Sequence, residues 1–283
     1  MLEAPGFALV LLDLVCLVLG SAFPFFILTP RHTPFKRGFF CSDESIRFPL
    51  REDTISYQLL GGVMVPSTLV VLVCGECLSV HMSRVANQPP GTRYLTCVYK
   101  AVGIYAFGPP SASSLTDVAK YSLGRLRPNF LVCKPLWEGI DCRPGSYVEN
   151  FTCSGDPFQV DEARLSFFSG HASFAMYCML FLVLYIQARL TSEWARLLRP
   201  TIQFFLVAAA VYVGLSRVSD YKHHWSDVLA GLLLGALVAV FTVLCVSGSF
   251  KQPVDAVVKQ EEEETHASLQ ESPPNGINYG STE

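Results

Sequence analysis

Three groups of polar residues in this 283-residue chain have the types and spacing of a phosphate site. The first is Lys120-Tyr-Ser-Leu-Gly-Arg-Leu-Arg127-Pro128, the second Ser169-Gly170-His171, and the third Ser216-Arg217-Val-Ser-Asp-Tyr-Lys-His223-His224-Trp-Ser-Asp227. Lys120, Arg127 and Arg217 supply positive charge, and the arginines add a planar fork that matches phosphate oxygens. Ser169 and the N–H of Gly170 sit where a helix is expected to open, and unpaired N–H groups with the positive dipole end favour an anion there. His223 and Asp227 are four apart, so on a helix the carboxylate would hold one ring nitrogen of His223 and leave the other free to attack phosphorus. His171 is then the candidate acid for the leaving alkoxide and the base that activates water in a second step. A helix N-terminus disfavours a protonated histidine, whereas a bound phosphate dianion favours one, so the two effects oppose each other at His171.

The elements that must bring these groups together are apolar. Of the residues, 51% are hydrophobic and 16% charged, and the mean hydropathy is +0.36, which points to a bilayer as solvent. Six apolar segments, at 7–29, 57–80, 94–118, 168–188, 201–216 and 227–247, predict six transmembrane helices. Phe7 to Leu28 lacks a basic leader and reads as a retained first helix. The expected fold is an all-α six-helix membrane bundle over 1–250, followed by a disordered cytosolic tail over 251–283 rich in Glu, Ser, Pro and Gly. Counting crossings, the end of helix three, the start of helix four and the turn between helices five and six share one membrane face, so the three groups converge.

The third segment carries Gly103, Gly108, Pro109, Pro110 and a run of serines, which predicts a kink and burial among its neighbours. Gly231 and Gly235 have the spacing that lets helices approach closely, read as packing inside one bundle. Asp13 and Glu76 lie in apolar spans and are expected to form interhelical hydrogen bonds. His224 reads as solvated or packed against Trp225, an interfacial aromatic.

Asn150-Phe-Thr is a glycosylation sequon among the loop cysteines Cys41, Cys133, Cys142 and Cys153, which could pair as disulfides. It places the site on the lumenal or extracellular face, with both termini cytosolic. The lysine and arginine count opposes this orientation, since the loops placed outside are the more basic. Long loops count weakly in that rule, and several of those cations have a chemical use. The net charge of −3 and the lack of a basic stripe exclude a nucleic-acid partner. Three cations beside two histidines would repel a divalent ion, so neither metal nor cofactor is expected.

Lys120 with Arg127-Pro128, Ser169-Gly170-His171, and Ser216-Arg217 with His223 and Asp227 resemble, in order, the three motifs of the type 2 phosphatidic acid phosphatase superfamily. Arg37-Gly-Phe-Phe-Cys41-x-Asp-Glu-Ser-Ile46 and Trp194-Ala-Arg-Leu-Leu-Arg-Pro200 resemble the animal lipid phosphate phosphatases, extending the match over most of residues 7 to 250. The resemblance implies metal-independent hydrolysis of phosphatidate, lysophosphatidate, sphingosine 1-phosphate and ceramide 1-phosphate, an outward-facing site in the plasma membrane or an internal one, and a capacity to form homo-oligomers. Phe168 stands where many members have proline, and Pro109-Pro110 replaces expected small residues. A phosphatase of soluble esters, a silent scaffold and a transporter are the competing readings. The intact histidines and Arg217 argue against the scaffold, and the lack of an intramembrane charge pathway against the transporter.

Overall fold

The computed structural model describes residues 7–28, 33–82, 90–133, 143–190 and 196–246. The tail beyond 250 and Cys142 lie outside them. Among the described residues are seven α-helices: α1 (Phe7–Leu28), α2 (Tyr57–Met82), α3 (Pro90–Leu123), α4 (Pro157–Glu162), α5 (Gly170–Arg189), α6 (Leu198–Ser219) and α7 (Trp225–Phe241). Every apolar segment read from the sequence is a helix at nearly the expected bounds. α3 departs most, continuing through Pro109 and Pro110 and on to Leu123, so that Lys120 rides on the helix. The short α4 falls in what read as loop, started by Asp156, whose side chain accepts from Gln159 N, with Pro157 in the first turn.

Among the described residues, four helical stretches are long and apolar enough to cross a membrane: Tyr57–His81, Gly170–Arg189, Leu198–Ser219 and Trp225–Leu244. Their outward faces carry Phe204, Phe205, Leu233 and Leu237, each more than half exposed. A contiguous apolar surface of this kind needs lipid to cover it, so the chain is a multi-pass membrane protein. The apolar stretch of α1 counted among the described residues, Val10–Gly20, is shorter. α3 is less apolar than these four because glycines, prolines and serines occupy its middle.

The bundle closes around α5. Tyr177, Phe181, Leu182 and Tyr185 of α5 pack with Leu72 of α2, Tyr105 of α3 and Val213 of α6. α7 lies against α5 because Gly231 and Gly235 have no side chain: a Cβ at Gly231 would stand 2.5 Å from the carbonyl oxygen of Ser169, and one at Gly235 would strike that of Ser173. These glycines therefore serve packing inside the bundle, as expected. Both ionisable residues of the apolar spans also find interhelical partners: Tyr99 of α3 donates to Asp13 (2.5 Å), and Arg189 grips the buried Glu76 with two bonds of 2.9 and 3.1 Å.

A small cap covers the end of the bundle where α5 and α7 begin. Its core is Phe39, Ile46, Leu126, Phe130 and Val160, and a two-stranded antiparallel ribbon pairs β1 (Phe39–Phe40) with β2 (Tyr147–Val148). Cys133 and Cys153 form a disulfide across 20 residues of sequence, a loop closure of a size that contributes about 3 kcal/mol. Cys41 is also disulfide-bonded. Asn150 is exposed, in a left-handed conformation (φ 56°) that asparagine tolerates.

Replacing Gly231 by leucine is expected to force α7 off α5. Overpacking of this kind costs about 1–3 kcal/mol, read as a lower unfolding temperature in detergent, whereas Gly61→Leu, where a Cβ meets nothing, leaves it unchanged.

Candidate active site

The position of His223 follows from how α6 ends. Tyr221 takes a left-handed conformation (φ 57°), and the chain folds back so that the N–H groups of Lys222 and His223 both donate to the Arg217 carbonyl, at 3.1 and 3.2 Å. The imidazole of His223 is thereby turned inward and is 3% exposed. Its Nδ1 lies 2.7 Å from the carbonyl oxygen of Ser166. A carbonyl only accepts, so Nδ1 carries the hydrogen and Nε2 keeps a lone pair. Burial pushes the His223 pKa well below 6.5, and Arg127, Lys120 and Arg217 push it further in the same direction. The ring is therefore neutral, with a free nitrogen amid three positive charges.

Asp227 does not make the expected bond to His223. Helical i,i+4 geometry does not apply, because α7 starts at Trp225 and His223 belongs to the preceding turn. Asp227, fully buried, instead caps α7 by accepting from the N–H of His224 (3.1 Å). It also accepts from Ser166 Oγ (2.5 Å), from His224 Nδ1 (3.2 Å), and from the guanidinium of Arg125. His224 is thus neither solvated nor stacked on Trp225; it belongs to the Asp227 network. Asp227 reaches His223 only through Ser166, whose hydroxyl it holds and whose carbonyl holds the ring.

Ser169 caps α5 as its position predicts, with its hydroxyl accepting from Ala172 N (3.5 Å), and its own N–H donates to the Asp227 carbonyl (3.1 Å). Gly170 is crowded: a Cβ there would strike the hydroxyl of Tyr57 and lie 3.4 Å from Nζ of Lys120. That approach brings Lys120 to the opening of α5. His171 follows, packed edge-on against Tyr57 (4.3 Å between ring centroids), with Nε2 donating to the Ile55 carbonyl (3.1 Å).

All three expected phosphate cations are present, and each has an acidic partner: Lys120 with Asp117 (3.3 Å), Arg127 with Glu162 (2.9 Å), and Arg217 with Asp53 (3.0 Å) and Asp220 (3.6 Å). Burial alone would raise the Asp53 carboxyl, but Arg217 and Lys222 beside it outweigh burial and lower it. The structure therefore gathers Lys120, Arg127, Ser169, Gly170, His171, Arg217 and His223 into one buried cluster, with Asp227 behind it.

The partners Asp53, Glu162, Ser166, Tyr57 and Arg125 were not singled out from the sequence. Ser166 and Ile55 act through backbone carbonyls, which no side-chain pattern reveals. Asp53 and Glu162 look in sequence like ordinary solvated charges.

The sequence profile of the PAP2 superfamily matches residues 101–251, more than half of the chain and all three polar groups. The chain belongs to the PAP2 superfamily. Among its PAP2 relatives, phospholipid phosphatase 1 of Rattus norvegicus is 54% identical over 274 residues, 96% of this chain and 96% of that one. Phospholipid phosphatase 2 of Homo sapiens is 54% identical over 262 residues, 92% of this chain and 90% of that one. No solved structure matches the chain significantly.

The depressed His223 pKa has a measurable consequence. The folded state holds the ring neutral while the unfolded chain takes up a proton below about pH 6.5, so this residue's contribution to stability is intact above that pH and lost as pH falls. The loss approaches about 1.4 kcal/mol per pH unit. In His223→Gln, the fall in unfolding temperature below pH 6.5 should be less steep than in wild type, by melting in detergent.

Proposed function

We propose that this chain hydrolyses phosphate monoesters of lipids, such as phosphatidate, lysophosphatidate, sphingosine 1-phosphate and ceramide 1-phosphate, without a metal and through a phosphohistidine on His223. The observation that carries this reading is the His223 imidazole, fixed by the Ser166 carbonyl with Nε2 unprotonated and set in the field of Arg127, Lys120 and Arg217. The names of the relatives support a lipid substrate, and the exposed apolar faces of the helices support acyl chains that stay in the bilayer.

In the proposed reaction, Lys120, Arg127 and Arg217 exchange their carboxylate partners for phosphate oxygens, with the Ser169 hydroxyl and the Gly170 N–H completing the cradle. The Nε2 lone pair attacks phosphorus, a P–N bond forms, the P–O bond to the lipid breaks, and protonated His171 gives its proton to the leaving alkoxide. His171, now neutral, takes a proton from water. The resulting hydroxide attacks phosphorus, the P–N bond breaks, and inorganic phosphate leaves with His223 restored. The cations stabilise the equatorial charge in both steps, which is where catalysis of phosphoryl transfer is concentrated.

The same reading takes α1, α2, α3, α5, α6 and α7 as six crossings with both termini cytosolic, and the cap with its disulfides and Asn150 as the extracellular or lumenal side. A disulfide within the cap supports an oxidising compartment, and the buried small and polar residues of α3 support a place for that helix among the others.

The deciding test is phosphate release from phosphatidate in detergent micelles with EDTA, comparing wild type and His223→Ala at matched expression. Wild type should be active and the variant reduced at least about a thousandfold. Equal activity of the two would remove the nucleophile assignment, and a strict magnesium requirement would remove the metal-independent mechanism.

A further inference from the structure

The segment leading into α2 lies against the catalytic cluster and the turn after α6, which it meets at five residues. The Phe48 ring stacks on Tyr221 at 4.4 Å, and the Arg51 guanidinium lies 4.7 Å from the centre of the same Tyr221 ring. Asp53 pairs with Arg217 (3.0 Å) and Lys222 (3.5 Å). Thr54 donates twice to Asp220, from its N–H (2.9 Å) and its hydroxyl (2.6 Å). The Ile55 carbonyl accepts from His171 Nε2 (3.1 Å) and from Arg217 Nη1 (3.4 Å).

These contacts differ in what happens to them when a phosphate arrives. Asp53 competes with the phosphate for Arg217, so its hold on the site loosens on binding. Asp220 also faces Arg217 at 3.6 Å, but its two bonds from Thr54 are made by an N–H and a hydroxyl that a phosphate on Arg217 does not claim. The Thr54–Asp220 pair is two-pronged and charge-assisted, the stronger kind of hydrogen bond, and Asp220 is 5% exposed. One residue further on, the Ile55 carbonyl fixes which nitrogen of His171 permanently carries hydrogen. With Nε2–H engaged there, Nδ1 is the nitrogen left to take up and give a proton.

We propose that Thr54 and Asp220 are positioning residues for the acid step: together they pin the 53–55 segment so that the Ile55 carbonyl keeps the His171 ring in the orientation from which it protonates the leaving group. This rests on the hydrolase reading above. Neither residue touches substrate; their effect runs through the Ile55 carbonyl, which holds His171 Nε2 and also Arg217 Nη1, and a loss through Arg217 would weaken phosphate binding for any ester alike, whereas a loss through His171 depends on the leaving group.

The clamp and a merely structural contact predict different outcomes. Protonation of the leaving group matters for an alkyl phosphate, whose alkoxide is strongly basic, and hardly at all for a nitrophenyl phosphate, whose phenolate leaves unaided. The experiment measures kcat/KM of the full-length chain in detergent micelles for both esters, since that parameter reports the steps through transfer to the enzyme. The ratio of the two values does not depend on how much of a variant has folded. Thr54→Val should lose about tenfold or more on the alkyl ester and less than about threefold on the aryl ester, a part of the full effect of a general acid. Asp220→Asn should shift the ratio in the same direction, and Thr54→Ser, which keeps the hydroxyl, should restore it. An unchanged ratio in Thr54→Val and Asp220→Asn, with both esters equally affected or neither, overturns the clamp alone. Wild type inactive on both esters overturns the hydrolase reading and the clamp with it.

Discussion

The arrangement rests on charge compensation in a buried place. Arg127 and Arg217 are less than a tenth exposed, and together with Lys120 they surround a neutral histidine. Two like charges about 6 Å apart at an effective dielectric of about 20 repel by roughly 3 kcal/mol, so three cations cannot be gathered without partners. The chain supplies a carboxylate to each: Asp117 from the same turn of α3, Glu162 from the end of α4, and Asp53 from the segment before α2. Two of the three come from the cap, so the cap is what allows the cations to coexist before any phosphate is present. These carboxylates are partly exposed, with side-chain exposures of 43%, 45% and 35% for Asp117, Glu162 and Asp53. In the proposed reaction they swing into water as a dianion replaces them.

Asp227 solves a second problem, which is to fix groups from distant parts of the chain without exposing them. It joins Arg125 beyond α3, Ser166 before α5 and His224 at the head of α7. Its bond from Ser166 also satisfies a buried donor that would otherwise cost about 1–3 kcal/mol. Because Ser169 N–H binds the Asp227 carbonyl while Ser166 binds its carboxylate, the openings of α5 and α7 are locked together. The close α5–α7 packing allowed by Gly231 and Gly235 extends that lock into the membrane.

The sequence made the helices and the chemical groups legible, because both are written in side-chain type. Apolar runs gave helix bounds within a few residues. The glycine pair, the buried Glu76 and the Ser169 cap were read for what they are. What escaped were relations between distant residues. The expected Asp227–His223 bond assumed one continuous helix, whereas the left-handed Tyr221 ends α6 and places His223 in a turn. That turn gives His223 to a backbone carbonyl 57 residues away, and a carbonyl leaves no trace in residue type. Hydropathy likewise undervalued α3, whose small and polar residues face other helices; Ala101, Ala112, Ser114 and Thr116 are all buried.

The placement of His171 follows from how α2 is held against α5. At the end away from the site, Arg189 grips Glu76 and Tyr185 crowds Gly75; at the site end, Tyr57 packs on His171. Two helices touching at both ends have little freedom to slide or tilt, since each ion pair or ring contact tolerates only a fraction of a helical turn. Ile55 stands two residues before α2 begins, so its carbonyl inherits that fixed position. The partly buried Glu76–Arg189 pair at one end and the Tyr57–His171 contact at the other thus hold α2 against α5, and the Ile55 carbonyl that meets the His171 ring sits at the head of that fixed helix.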